Sequence, residues 1–318
     1  MTATTASTPL SRRRSLTVDD LRGDPRRMRK ERAVAAVLRG AATLSIVVSV
    51  LIVLSLVGQA LSFLRQVELG SLTEIGWFPR RGLFDIGTLV VGTLLVTLVA
   101  MVVATPLGLG AAIYLSEYAP PRLRRVLKPA LEILAGIPSV VVGFFALTFV
   151  APEIVKRIWS DAAQFNIAAA GIGVGILVVP LVASIAEDAM RAVPRHLREA
   201  AYGLGARKAV VSARVVVPAA VSGIVAALIV AASRAIGETM VVAIAAGASG
   251  GSLFNLDITQ PGQTMTAAMA SLATGTDQVR GNDAAFQSLF FIGLLLFLIT
   301  LGLNVVAARF VRRVRQKY

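Results

Sequence analysis

Long apolar stretches alternate with short polar, basic ones along this chain. Six runs, near residues 41–64, 86–115, 130–151, 166–187, 219–247 and 286–308, are long enough to cross a bilayer, which takes about 20 apolar residues at 1.5 Å rise each. They are filled with Ala, Val, Leu and Gly on all sides, and none shows the period-2 alternation of a membrane β-strand. Inside hydrocarbon a helix satisfies its own backbone groups, so the pattern predicts a helical bundle. The expected fold class is all-α: a polytopic membrane protein with six transmembrane helices.

Composition agrees. Of 318 residues, 56% are hydrophobic, 16% are charged and none is cysteine, against about 45–50% apolar and about 25% charged in soluble domains. The net charge of +14 is concentrated in particular segments. Ten basic residues face four acids between Arg12 and Arg39. Further basic groups follow the second span (Arg122, Arg124, Arg125, Lys128), the fourth (Arg191 to Arg214) and the sixth (Arg309 to Lys317). The alternate loops hold only Arg65, Arg80, Arg81, Lys156, Arg157 and Arg280. Basic residues stay on the cytoplasmic side, so a multi-pass cell-membrane protein with both termini inside is expected. A basic tail on anionic lipid explains the N-terminal charge without nucleic acid.

The expected organisation is a basic tail over 1–39, flexible to about Pro25, a first span with its outer loop over 40–85, a transmembrane core over 86–310 and a basic tail over 311–318. The N-terminus lacks a signal-peptide pattern, because polar residues run for about 40 positions before an apolar run too long for an h-region. Absence of cysteine excludes thiolate metal sites and disulfides.

Little in the chain can do chemistry. His196 is the one histidine, and in a basic loop it reads as solvated. No Ser–His–acid triad can be built on it, no phosphate-cradling G-x-x-x-x-G-K-[ST] occurs, and intramembrane acids are too few for a proton relay. A transporting role fits, with no cofactor in this chain.

Between the fourth and fifth runs, Arg198 to Ala220 reads "REAAYGLGARKAVVSARVVVPAA". Pro194 suits a helix start. Leu197, Ala200, Ala201 and Leu204 share one helical face, while Arg195, Arg198, Glu199 and Tyr202 share another. Gly205 stands where a left-handed residue would end the helix. A second helix over 206–217 is expected, broken by Pro218. A face of Ala buries little area in lipid, so a protein contact fits this helix better than the headgroup layer.

This stretch resembles the coupling loop of ATP-binding-cassette importer permeases, E-A-A-x-x-x-G, nine residues, then I-x-L-P. Here Glu199, Ala200, Ala201, Gly205 and Pro218 stand at the matching positions, with Val215 for Ile and Val217 for Leu. The resemblance implies the type I importer permease fold and a cytoplasmic coupling helix, with Arg198 alongside the motif, docking on a separate ATPase.

Three further stretches, Gly110–Pro120, Leu131–Phe144 and Ser233–Gly247, with Trp77–Pro79, resemble phosphate-importer permeases of the PstC type over roughly residues 60–310. That implies an ATP-driven inorganic phosphate importer. Its partners would be a PstB-type ATPase dimer carrying ATP–Mg, a PstA-type second permease, a PstS-type binding protein outside, and the membrane. Permeases for sulfate or molybdate share the coupling loop and form one alternative. A secondary transporter, which needs no coupling helix, forms another.

Arg234 falls near the middle of the fifth run, where insertion costs about 2.5–3.5 kcal/mol. Glu238, four residues on, is a candidate partner. Arg234 then either locks helices together or meets an oxyanion in the translocation path, where a guanidinium can donate two hydrogen bonds. Gly136 and Pro138 interrupt the third run, which places Ser139 at a kink or beside a path. Glu132 is expected to pair with Lys128 one turn earlier, Glu117 to be a solvated boundary acid, and Trp77 to mark the outer interface. Met265–Ala273 is too short to span and reads as an interfacial or surface helix.

Overall fold

The computed structural model describes residues 25–73, 76–247, 251–275 and 283–314. Contacts separate two units, Met1–Ser55 and Leu56–Tyr318. The described part of the first unit is helical throughout and belongs to α1 (Pro25–Gln66). Its apolar side chains, Leu38, Leu44 and Leu51 among them, are exposed, as suits a surface solvated by lipid. The stretch read as a tail is thus helical from Pro25 onward, while residues 1–24 and 315–318 lie outside the described residues.

Among the described residues five helices are long and apolar enough to span: Met28–Gln66 within α1, α2 (Ile86–Tyr118), α4 (Ser139–Ile158), α5 (Ile167–Arg191) and Ala284–Val311. The last belongs to α11 (Asp283–Val314). A bent pair, α7 (Lys208–Ala219) and α8 (Val221–Ile236), meets at 71° and makes six spans when taken as one. The shorter helices are α3 (Pro121–Leu134), α6 (Arg195–Gly203), α9 (Met240–Ala245) and α10 (Met265–Ala273). One two-residue hairpin pairs Trp77–Phe78 with Leu83–Phe84.

The centre of the second unit is α5. Asn166 caps it, its side chain accepting from the Ala169 N–H at 2.7 Å, which satisfies one orphan donor of the first turn. Small residues let α5 lie against α2. A Cβ on Gly171 would come 2.6 Å from Val99 Cβ, one on Gly175 2.9 Å from the Ala100 carbonyl oxygen, and one on Gly108 2.6 Å from Val182 Cβ. Backbones this close gain dispersion contacts where lipid offers no hydrophobic drive. Among the described residues three helical segments widen to π geometry: Tyr114–Tyr118, Ala146–Val155 and Ser212–Val216.

Several boundaries differ from those the apolar runs predict. The third span begins at Ser139, not 130, because Pro138 starts a new helix and α3 closes at Leu134. Apolarity continues across this break, so hydropathy alone merges the two. The helix before the fifth span runs through Pro218 to Ala219, and the bend falls at Ala220. Pro218 lacks the N–H that would bond back into the preceding turn, and that turn, Ser212–Val216, is π-helical. The fifth run is itself interrupted at 237–239, between α8 and α9.

Two further expectations are overturned. Trp77 is buried, 1% exposed, edge-on to Phe84 at 5.7 Å, and its backbone pairs with Ser252. α10 is a buried helix, with Met265, Ala267, Ala268 and Leu272 packed in a cluster or core. Its short length forbids spanning but not burial, since α2 and α11 cover it.

Candidate functional site

Helix α6 follows the predicted bounds closely. Pro194 is its N-cap at φ −57° and ψ 139°, Leu204 its C-cap, and Gly205 takes φ +78°, which an L side chain would strain. Leu197 and Ala201 pack on a core of Val193, Val211 and Val216. Glu199, Ala200, Gly205 and Pro218 are exposed, with Tyr202 at 43% and Leu204 at 90% exposure. The apolar face is therefore split: Leu197 and Ala201 hold the helix down, while Leu204 is left outside with Glu199 and Tyr202.

Arg198 behaves differently from its neighbours. Its guanidinium donates to the Val193 carbonyl at 2.7 Å, the Met190 carbonyl at 2.8 Å and Glu117 Oε1 at 3.0 Å. The Glu117 side chain is only 5% exposed, so it is a buried partner and not the solvated acid expected. One cation thus ties α6 to the ends of α5 and α2. Arg124 adds a second tie, donating to the Leu115 carbonyl at 2.6 Å and the Ser116 carbonyl at 2.9 Å. These carbonyls lie in or beside the π segment of α2, where the ordinary helical ladder is disturbed. Between α2 and α6 opens a cleft of ≈ 420 Å³ lined by Arg191, Arg195, Glu199, Tyr202 and Lys208. Lys208 Nζ sits 5.0 Å from the centre of the Tyr118 ring.

Beneath this surface lies a charged junction that local sequence spacing does not reveal. The Glu187 side chain is fully buried, with Lys128 Nζ at 2.7 Å, Arg191 at 3.6 Å and Arg124 at 3.8 Å. Lys128 also reaches the Asp188 carboxylate at 2.5 Å. The expected Lys128–Glu132 pair is not formed: Lys128 turns toward α5 and Glu132 is exposed. Burial acts to lower the Lys128 pKa, but its hydrogen bonds to Asp188 and Glu187 outweigh that, and the net shift is upward. The one local signal for this junction is the acidic pair Glu187–Asp188 closing an apolar run, with Arg191 one turn on.

Arg234 lies at the C-terminal end of α8, exposed, and Glu238 is buried beyond the break. The two share no ion pair. The helix stops at Ile236 with Gly237 as C-cap, so Glu238 is not one turn along the same face. Instead the Glu238 carbonyl accepts from Thr266 Oγ1 at 2.8 Å, stitching the break to α10. Ser139 stands half-buried as the first residue of α4. α4 packs on α9, and a Cβ on Gly143 would come 3.1–3.2 Å from Ile244 and Val241. The break at 237–239 and the start of α4 therefore lead into two helices in direct contact. Among the described residues no cluster of three or more acids and histidines could hold a metal ion.

Residues 104–316 match the profile of the family described as binding-protein-dependent transport system inner membrane component. The phosphate transport system permease protein PstC of Mesorhizobium japonicum is 31% identical, the match covering 88% of this chain and 89% of that protein. PstC 1 of Mycobacterium tuberculosis is 36% identical over 71% of this chain and 72% of its own. Among solved structures, a bacterial ABC transporter involved in import of the acidic polysaccharide alginate superposes with TM-score 0.62 at 14% identity, covering 91% of this chain and 100% of its own. An inward-facing MetNI methionine ABC transporter gives TM-score 0.53 at 20% identity, covering 72% of this chain and 97% of its own. These two share the fold. With its spanning helices, its anchored surface helix and this family match over most of its length, the chain belongs to the binding-protein-dependent transport system inner membrane components, the permeases of ABC importers.

Proposed function

We propose that this chain is the PstC-type permease of an ATP-driven importer of inorganic phosphate. The observation that carries the coupling half of this reading is the anchored helix α6. Glu199, Tyr202 and Leu204 point outward from a helix whose underside is packed and clamped through Arg198. A helix held in this way can pass a displacement to α2 and α5 with little loss. The substrate half rests on the names of the PstC relatives.

In this reading α6 lies on the cytoplasmic face, where basic residues gather, and a PstB-type ATPase dimer holding ATP–Mg grips Glu199, Ala200 and Leu204. Gly205 lets the chain reverse, and the segment ending at Pro218 carries the motion into the fifth span. Phosphate, delivered outside by a PstS-type protein, passes between this chain and a PstA-type permease. Arg234 supplies the cation along that path. At the end of α8 its side chain is exposed, and an approaching oxyanion gains its guanidinium donors. Glu238, within the break at 237–239, and Ser139, at the start of α4, shape the passage. Basic termini remain inside.

The test is uptake of labelled phosphate and labelled sulfate by cells lacking the gene and complemented with it, alongside recovery of an ATPase with the tagged chain in mild detergent. Restored phosphate uptake with ATPase recovery is expected. Restoration of sulfate uptake alone would reassign the substrate, and transport undiminished without any ATPase would remove the coupling role.

A further inference from the structure

Helix α3 has a property that the coupling and transport roles leave unused. It buries no side chain, yet it joins two spanning helices. Arg124, Leu127, Lys128 and Leu131 are half-buried on one side, facing α5. A second stripe is apolar and open: Val126 is 65% exposed, Ile133 75% and Leu134 50%.

Two cavities share this helix. The first, of ≈ 410 Å³, is lined by Arg124, Arg125, Lys128 and Arg191, with Glu132 as its acid. The second, of ≈ 210 Å³, is almost wholly apolar and is lined by Leu107, Leu131, Leu134, Ile137, Ile176 and Val179. Lys128 and Glu132 on the polar cavity alternate along α3 with Leu131 and Leu134 on the apolar one, so the two are adjacent.

We propose that these cavities together form a site for an anionic phospholipid, with the phosphate headgroup in the basic cavity and an acyl chain along the apolar groove. Arg124 and Lys128 are engaged by Glu187, Asp188 and carbonyl groups. Arg125 forms no ion pair among the described residues, and Arg191 reaches Glu187 with a single nitrogen at 3.6 Å while half its side chain is exposed. These two guanidiniums retain donors for a phosphate, which planar guanidinium groups bind in bidentate fashion. Local charge still favours an anion: Arg124, Arg125, Lys128 and Arg191 face Glu132 in the cavity and Glu187 and Asp188 behind it, four cations against three carboxylates. A soluble phosphate would occupy the first cavity and leave the adjoining apolar one unfilled. A zwitterionic headgroup would bring a second positive charge into a basic pocket. A lipid with a net negative headgroup satisfies both halves. Basic clusters beside spanning helices are an established physical basis for such binding.

The experiment uses the full chain in mild detergent, with bound lipid counted by native mass spectrometry. The probes are phosphatidylglycerol, phosphatidylcholine of the same acyl chains, and inorganic phosphate as competitor. Phosphatidylglycerol is expected to bind more tightly than phosphatidylcholine by roughly fivefold or more, on the order of one basic contact. Arg125→Gln should weaken phosphatidylglycerol by a similar factor, Glu132→Gln should strengthen it, and Leu134→Asn should weaken both lipids. Arg125 and Glu132 are exposed, so these two variants keep the fold, and unchanged thermal stability verifies it. Equal binding of the two lipids, or no response to Arg125→Gln and Glu132→Gln, would overturn the proposal. Displacement of phosphatidylglycerol by millimolar phosphate would equally overturn it and mark the cavity as a soluble-anion site. The inference rests on membrane insertion and not on the transported substrate, so its failure leaves phosphate uptake untouched.

Discussion

Removing the charge of Glu187 should destabilise the protein far more than removing that of its neighbour Asp188, although both touch the same lysine. The Glu187 side chain is fully buried, whereas Asp188 is 63% exposed. At an effective dielectric of about 20, a pair at 2.7 Å attracts by roughly 6 kcal/mol before desolvation is counted. Cations at 3.6 and 3.8 Å add to this, and desolvation offsets several kcal/mol for each ion. Breaking a buried pair on one side costs about 3–5 kcal/mol. Glu187→Gln leaves Lys128 with Asp188 and leaves the lysine, 24% exposed, partly hydrated, so the low end, about 3 kcal/mol, applies. Asp188→Asn removes an exposed partner and should cost about 1 kcal/mol or less. Lys128→Met should fall between the two, because Arg124 and Arg191 remain near Glu187. Equilibrium unfolding of the purified chain in bicelles would read these values. If Asp188→Asn matched Glu187→Gln, or if Glu187→Gln cost under about 1 kcal/mol, burial would not be what sets the strength of this junction.

Four other outcomes follow from the same geometry. Glu199→Lys should lower uptake by about tenfold or more and reduce ATPase recovery, with the chain still inserted, since a reversed charge at a contact costs several kcal/mol; equal uptake would clear Glu199 of any docking role. Arg234→Gln should cut phosphate uptake by about 10- to 100-fold, the worth of charged hydrogen bonds, while complex recovery stays normal; loss of assembly in place of transport would make Arg234 a structural lock. Gly175→Leu should destabilise by about 1–3 kcal/mol or more through overpacking against α2, read by thermal inactivation. The Lys128 junction should keep its contribution from neutral pH through the ordinary lysine range. A raised folded pKa gives stability that is complete below 10.5 and lost as pH rises through the folded value. Unfolding measured between pH 7 and pH 9 should therefore show no loss from this group.

Much of the architecture is readable from apolarity and turn chemistry alone. The spans at 86–115, 166–187 and 286–308 reappear in α2, α5 and α11, and Pro194 and Gly205 delimit α6 as their backbone preferences require. What local patterns missed falls into two kinds. One is breaks inside apolar stretches. Gly136 and Pro138 do announce the break at 135–138, though not that the span starts only after it; the break at 237–239 leaves hydropathy unchanged, and spacing alone puts Arg234 and Glu238 on a face that the helix abandons at Ile236. Partnerships between distant residues, Arg198 with Glu117 and Lys128 with Glu187, span 81 and 59 positions, beyond any helical spacing rule. For the same reason Glu117 reads as solvated, Trp77 as interfacial and Met265–Ala273 as superficial. Each is buried by segments remote in the chain.

The π-helical turn at Ser212–Val216 makes this part of the chain unusually tolerant of a change in length. Such a turn houses one residue more than an α-turn over the same rise. Taking one residue out there would tighten the turn to ordinary α geometry and leave the faces of the following span pointing as before. The same deletion within Ile167–Arg191 would swing every later side chain by about 100°, the angle of one residue on a 3.6-fold screw.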